Sequence, residues 1–200
     1  MNTIKHYRNI VVSFALVTWV ISMVVLLNSC KKKDDPKPPE NEEELITTVK
    51  LKVKNTLFSS DSTEVVWKDL DGNGGNPPSI GTLTLRANSF YSAQLALLDE
   101  SHAGHTHNIN DEINNEKAEH QFFYQATGNL SNFAYVDFDA NGKPVGLRFS
   151  FQTGAAGSAT LKITLRHKPN KSAPGVSSGD ITNAGGSTDI EVTFPVTIQP

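Results

Sequence analysis

Cysteine is almost absent from this chain: Cys30 is the only one among 200 residues. A secreted domain with a single cysteine has no partner for an internal disulfide. The sequence also lacks a free-cysteine nucleophile, a G-x-S-x-G elbow, an H-E-x-x-H helix and a phosphate-binding glycine loop. Because no nucleophile has a base within plausible reach, we expect a protein that is not an enzyme.

Long apolar runs are equally scarce, and the one exception lies near the N-terminus. Two basic residues precede an apolar run over residues 10–27, which is long enough to cross a bilayer. Three lysines follow at 31–33, so an uncleaved helix would tend to leave the following domain inside the cell. The tetrapeptide LNSC at 27–30 resembles a bacterial lipobox, which implies that Cys30 becomes the lipidated first residue. We therefore predict a signal peptide over 1–29 and a lipid anchor at Cys30, with an uncleaved helix as the alternative.

An excess of positive charge is also missing. Removal of residues 1–29 takes away Lys5 and Arg8 and leaves 18 − 2 = 16 basic against 21 acidic residues, a net charge of −5. Nucleic-acid binding requires a basic surface, so we predict no nucleic-acid partner.

The segment 30–44 is dense in charge and holds three prolines, a composition typical of an extended tether. Its KDD motif at 33–35 resembles the signal that sends Bacteroidota lipoproteins to the cell surface, although a simple charged tether is an equally good explanation. We expect a lipid-anchored outer-membrane protein, and both the periplasmic and the cell-surface face remain open.

From residue 45 onward, alternating apolar and polar residues dominate the sequence. TVKLKVK, for example, places Val49, Leu51 and Val53 on one face and three lysines on the other. About nine such runs follow one another, separated by clusters of Gly, Asn, Asp and Pro. The pattern predicts an all-β fold: a single immunoglobulin-like antiparallel β-sandwich over 45–200, with one short helix in a connection. Trp67 is expected in its core.

Two turns carry the D-x-D-x-N-G opening of a calcium loop, DLDGNGG at 69–75 and DFDANG at 137–142. A complete calcium loop needs a glutamate at its twelfth position, and these turns have Ile80 and Arg148 there. Asn-Gly between apolar runs favours a hairpin turn instead. We interpret both as turns and keep weak calcium coordination at Asp69, Asp71 and Asn73 as the alternative.

Sequence blocks along residues 28–200 resemble a family of small Bacteroidota lipoproteins of unassigned function. The blocks include AEHQFFY, TLKITLRHKPN and ITNAGGSTDIEVTFPVTI. Members of that family are often labelled as a type 1 periplasmic binding fold, which implies a two-domain α/β structure of about twice this length. The strand pattern of this chain predicts one all-β domain instead, and the resemblance assigns no site residues.

Histidine and acid are concentrated in one segment, residues 99–123, which holds four of the six histidines. Residues 108–120 have helical spacing, with Ile109, Ile113, Glu116 and His120 on one face. His120 therefore has two interpretations: a helix-end histidine packed on the sandwich beside Glu116, or a metal ligand.

The HAGHTH stretch places His102, His105 and His107 on a glycine-containing loop. Imidazole together with carboxylate suits Zn²⁺ or Cu²⁺, and a solvated loop is the alternative. We predict a zinc or copper site formed by these three histidines with Glu116 and His120. The expected function is capture of metal for an outer-membrane transport receptor, and the alternative is a surface-binding, adhesion or scaffold module without metal.

Overall fold

The computed structural model describes residues 44–58, 60–72 and 74–200. The predicted signal peptide, Cys30, most of the tether and Asn73 lie outside these residues. No helix in the described part of the chain is long and apolar enough to cross a membrane.

Eleven strands and one α-helix make up the described chain. The strands are β1 Thr48–Asn55, β2 Ser62–Lys68, β3 Ser79–Ile80, β4 Leu83–Arg86, β5 Phe90–Asp99, β6 His107–Asn108, β7 His120–Thr127, β8 Leu130–Tyr135, β9 Arg148–Thr153, β10 Gly157–His167 and β11 Ser187–Gln199. The helix α1 is Ile109–Asn115, and a 3-10 turn covers Val176–Ser178. Two of the strands have only two residues, so 11 − 2 = 9 longer strands remain, which agrees with the predicted number.

The strands form two sheets, ordered β3-β2-β1-β5-β9-β8 and β4-β11-β10-β7, with β6 beside β5. Constant-type immunoglobulin domains place strands A, B, E and D in one sheet and C, F and G in the other. In this protein β1, β5, β9 and β8 lie in one sheet at the positions of A, B, E and D. In the other sheet, β7, β10 and β11 lie at the positions of C, F and G. The predicted sandwich is thus confirmed, with one departure from antiparallel pairing: β4 runs parallel to β11.

The core lies between the sheets and follows the alternation of the sequence. In β1 the residues Val49, Leu51 and Val53 are buried, while Lys52 and Lys54 are exposed. Trp67 is buried, as predicted. The inward faces of the two sheets form one main apolar layer, and a second, small cluster of Phe123, Val176 and Ala184 lies apart from it.

The helix is shorter than the helical spacing predicts. Ile109 and Ile113 are buried on its inner side, but it ends at Asn115. The Asn110 side chain accepts from the Leu97 N–H and donates to the Leu95 carbonyl. It thus satisfies backbone groups of β5 in the way that a neighbouring strand would. His120 consequently begins β7 and does not extend the helix.

Candidate functional site

The three histidines of HAGHTH lie in solvent at one end of the sandwich, between β5 and α1. His102 is 3.0 Å from the Ser101 hydroxyl through Nδ1, and His107 is 3.3 Å from Glu112 through Nε2. In the described part of the chain, no group of three possible metal ligands includes them. Of the five predicted metal ligands, the structure brings Glu116 and His120 together and leaves His102, His105 and His107 apart from them.

A different pair of histidines is buried at the same end of the sandwich. His120 begins β7, His167 ends β10, and the two face each other in register. Their rings are 4.7 Å apart, and both residues are buried, with 0% and 2% of their surface exposed. Because Phe122 and Leu165 also pair in register and lie in the core, the histidines continue the inner face of the sheet.

Asp189 joins the two histidines because of a β-bulge at the start of β11. Leu165 pairs with Ile190 and Arg166 pairs with Thr188, so Asp189 is the extra residue. Its side chain is fully buried. Asp189 Oδ2 lies 3.8 Å from His120 Nε2, and Oδ1 lies 3.8 Å from His167 Nδ1.

Glu44 brings a second carboxylate to the same ring nitrogen. Its Oε1 lies 3.2 Å from His120 Nε2, but the pair is not aligned as a hydrogen bond. Its Oε2 is buried and has no hydrogen-bond partner in the described part of the chain. Two carboxylates therefore converge on a single imidazole nitrogen.

The protonation of His120 follows from its other nitrogen. Nδ1 lies 3.2 Å from the Glu116 carbonyl oxygen, which can only accept, so Nδ1 carries a hydrogen. In the neutral ring, Nε2 then presents a lone pair to the carboxylates of Glu44 and Asp189, which repel it. A cation has to relieve this repulsion, either a proton on Nε2 or a metal ion between the three groups.

The pKa of His120 reflects the same competition. Burial on its own lowers the pKa, but Glu44, the Glu116 carbonyl and Asp189 outweigh burial and raise it above the usual value for histidine. The site therefore attracts positive charge although it is buried.

Two further acids border the cluster towards solvent. Glu119 Oε2 lies 3.6 Å from His167 Nε2 and 3.4 Å from Lys168 Nζ. Glu116 could hold an ion together with His120 and His167, which form a second possible group of ligands. The acids on this side are more exposed than Glu44 and Asp189.

The distances can be compared with those of a zinc site. Ligand atoms bound tetrahedrally at about 2.0 to 2.2 Å stand about 3.3 to 3.6 Å from one another. Glu44 and Asp189 lie 3.2 and 3.8 Å from His120 Nε2. Small shifts of these side chains would therefore bring the three atoms to the spacing of zinc ligands. The hydrogen bond from Nδ1 to a carbonyl is also the usual support of a metal-binding histidine.

The calcium-like turns use their carboxylates within the fold. Asp69 accepts from the Gly72 N–H, and Asp71 accepts from the backbone and side chain of Asn76. In the second turn, Asp139 forms a buried ion pair with Lys171, with 3.1 Å between Nζ and Oδ2. Asp139 also accepts from the N–H groups of Asn141 and Lys143 within its turn. Weak calcium coordination at Asp69, Asp71 and Asn73 stays a prediction from sequence.

Comparison with known proteins adds no further assignment. No family model matches the chain, and neither a curated protein nor a solved structure is similar to it. The resemblance to a family of Bacteroidota lipoproteins therefore stays a prediction from sequence.

Proposed function

We propose that this protein captures one Zn²⁺ or Cu²⁺ ion between the buried side chains of Glu44, His120 and Asp189, with His167 beside them. The proposal depends mainly on one observation: a buried imidazole nitrogen, His120 Nε2, faces two carboxylates. A cation is needed to offset the repulsion between the lone pair of this nitrogen and the carboxylates. Glu116 remains an alternative ligand beside His120 and His167.

Charge favours a divalent ion at this place. The two carboxylates that converge on His120 Nε2 carry two negative charges, which the charge of a divalent ion would match. Uncompensated charge in the interior is costly. Mixed nitrogen and oxygen donors suit Zn²⁺ and Cu²⁺, while Mg²⁺ and Ca²⁺ prefer oxygen alone.

The exposed HAGHTH histidines contribute to capture in a different way. Together with Asp99, Asp111 and Glu112 they concentrate cations near this end of the sandwich. We interpret the segment as a place of first, weak contact, from which an ion passes to the buried donors.

The proposed location in the cell is inferred from the N-terminal sequence. A lipid anchor at Cys30 would hold the domain at the outer membrane, where captured metal could pass to a transport receptor. Export is also compatible with the lack of an internal disulfide, because the single cysteine would carry the lipid.

Titration calorimetry with Zn²⁺ at pH 7.5 tests the proposal. We expect one ion per wild-type chain with a Kd near 1 µM or below, about −8 kcal/mol. His120→Gln should weaken binding at least tenfold, because Gln lacks the imidazole donor. The matched control changes His102, His105 and His107 together to Gln and should stay within about threefold of wild type.

Two outcomes would count against the buried site. If the triple variant loses binding while His120→Gln keeps it, the ion belongs to the HAGHTH loop. If no form binds below about 100 µM, around −5 to −6 kcal/mol, the protein has no metal function. Circular dichroism of each variant must show an intact sandwich.

The second candidate function is a surface-binding or scaffold module without metal. Leu57, Phe58 and Phe90 are large apolar residues, each more than half exposed, beside the β1–β2 hairpin. The Thr56 N–H donates to the Phe90 carbonyl, so the three apolar side chains lie together at the end of the sandwich opposite the histidines. Exposed apolar groups of this kind are typical of contact surfaces.

A further inference from the structure

Glu44 occupies an unusual place for a metal ligand, because the chain enters the sandwich there. Leu45 is 55% exposed, Ile46 is buried in the core, and β1 begins at Thr48. Along the described chain, the first backbone hydrogen bond runs from the Thr47 N–H to the Leu98 carbonyl. Residues 44–46 are therefore held mainly by two side chains, Ile46 in the core and Glu44 at His120.

The carboxylate of Glu44 is only partly satisfied by the described residues. Its side chain is only 9% exposed, yet Oε2 has no hydrogen-bond partner among the described residues and Oε1 meets His120 out of alignment. Buried carboxylate oxygens are normally satisfied by donors or by a metal ion. An ion bound to Glu44 and His120 would complete this contact.

A cleft lies directly beside Glu44. The cleft has a volume of about 240 Å³, and its walls include Glu44, Ile46, Trp67 and Asp189. The side chains of His120 and Asp189 have no exposed surface, so at least one ligand has to move before an ion reaches them. Of the three ligands, Glu44 is the one that lies outside the strands, and it borders the cleft.

We propose that Glu44 is a gating ligand that couples metal occupancy to the junction with the tether. The ion passes Glu44 from the cleft, and coordination then fixes residues 44–46 against the sandwich. This inference rests on the proposed metal site and on the predicted tether before residue 45. It identifies the domain entrance as the place where a membrane partner would distinguish loaded from empty protein.

Hydrogen–deuterium exchange of the full chain tests the coupling, with and without saturating Zn²⁺. In wild type we expect exchange at the amides of Leu45 and Ile46 to slow at least fivefold on metal binding. Ala155 and Ala156, exposed in the connection between β9 and β10, report on general effects and should change less than twofold. In Glu44→Gln, zinc should protect Leu45 and Ile46 less than twofold, because the amide is a poor ligand. Glu64→Gln, on the exposed face of β2, is the matched control and should behave as wild type.

Calorimetry on the same samples separates the two proposals. If wild type binds zinc but exchange at 45 and 46 is unchanged, the gating role is wrong and the metal site stands. If Glu44→Gln binds zinc and still gains full protection, the gating role is also wrong. If wild type binds no zinc, both proposals fail.

Discussion

At the residue scale, the five histidines in the described part of the chain show how environment determines chemistry. His102 and His105 are exposed, and their rings lie apart from any group of metal ligands that the described residues form. His120 and His167 are buried against each other and meet carboxylates. The same side chain thus serves as a solvated imidazole in one place and as a buried cation-dependent group in the other.

The raised pKa of His120 gives a pH dependence with a definite sign. A histidine whose folded pKa exceeds its unfolded value, about 6.5, stabilises the fold fully below that value and loses this contribution as pH rises through the folded pKa. In metal-free protein, the stability difference between wild type and His120→Gln should therefore shrink from pH 5.5 to pH 8.5. Urea unfolding in the presence of a chelator measures it. A difference that grows with pH would contradict the assigned environment.

Sequence reasoning found part of this site and missed the rest for physical reasons. Glu116 and His120 followed from helical spacing, although His120 proved to begin a strand. His167 had a readable signal, because it continues the inward positions of Leu161, Ile163 and Leu165 in β10. Asp189 had no such signal in the sequence, because alternation along β11 would direct its side chain outward and only the bulge buries it. Glu44 was assigned to the tether because it ends a run of acids.

At the element scale, the strands were predictable and the connections were not. Alternation is a local property, and most of the strands bury one face, so the sequence predicts the nine longer strands directly. The helix end, the bulge and the short pairings of β3 and β6 depend on contacts between distant segments. The loop between β10 and β11 matters most here, because its two ends carry His167 and Asp189.

Two neighbouring glycines in that loop offer a matched test. Gly186 has φ +70°, and a Cβ there would lie 2.0 Å from the His167 carbonyl oxygen. Gly185 has φ +60° and open space around it. Gly185→Ala should cost about 1–2 kcal/mol for the left-handed backbone and leave zinc affinity unchanged. Gly186→Ala should cost more and also weaken zinc binding, because the backbone of His167 must move.

Urea unfolding and zinc titration of both variants measure these effects. Equal stability and equal affinity in the two variants would show that the close approach of Gly186 to His167 does not position the site. The comparison is informative because both substitutions add the same methyl group in the same backbone region.

At the scale of the whole molecule, the fold brings the donors to one end of a sandwich. Loops of immunoglobulin-like sandwiches cluster at the two ends, and the connections before β7 and after β10 share one of them. The start of β1 lies at the same end, because Glu44, just before it, contacts His120 at the start of β7. Residues separated by more than 140 positions, Glu44 and Asp189, therefore meet at a single imidazole.

The most direct test of this account is the position of the ion itself. Crystals of the zinc-loaded protein, measured on both sides of the zinc absorption edge, would locate it by anomalous scattering. We predict one strong peak about 2.0 to 2.2 Å from His120 Nε2 and from oxygens of Glu44 and Asp189, with His167 beside it. A peak among His102, His105 and His107, or no peak at all in crystals grown with excess zinc, would contradict the buried site.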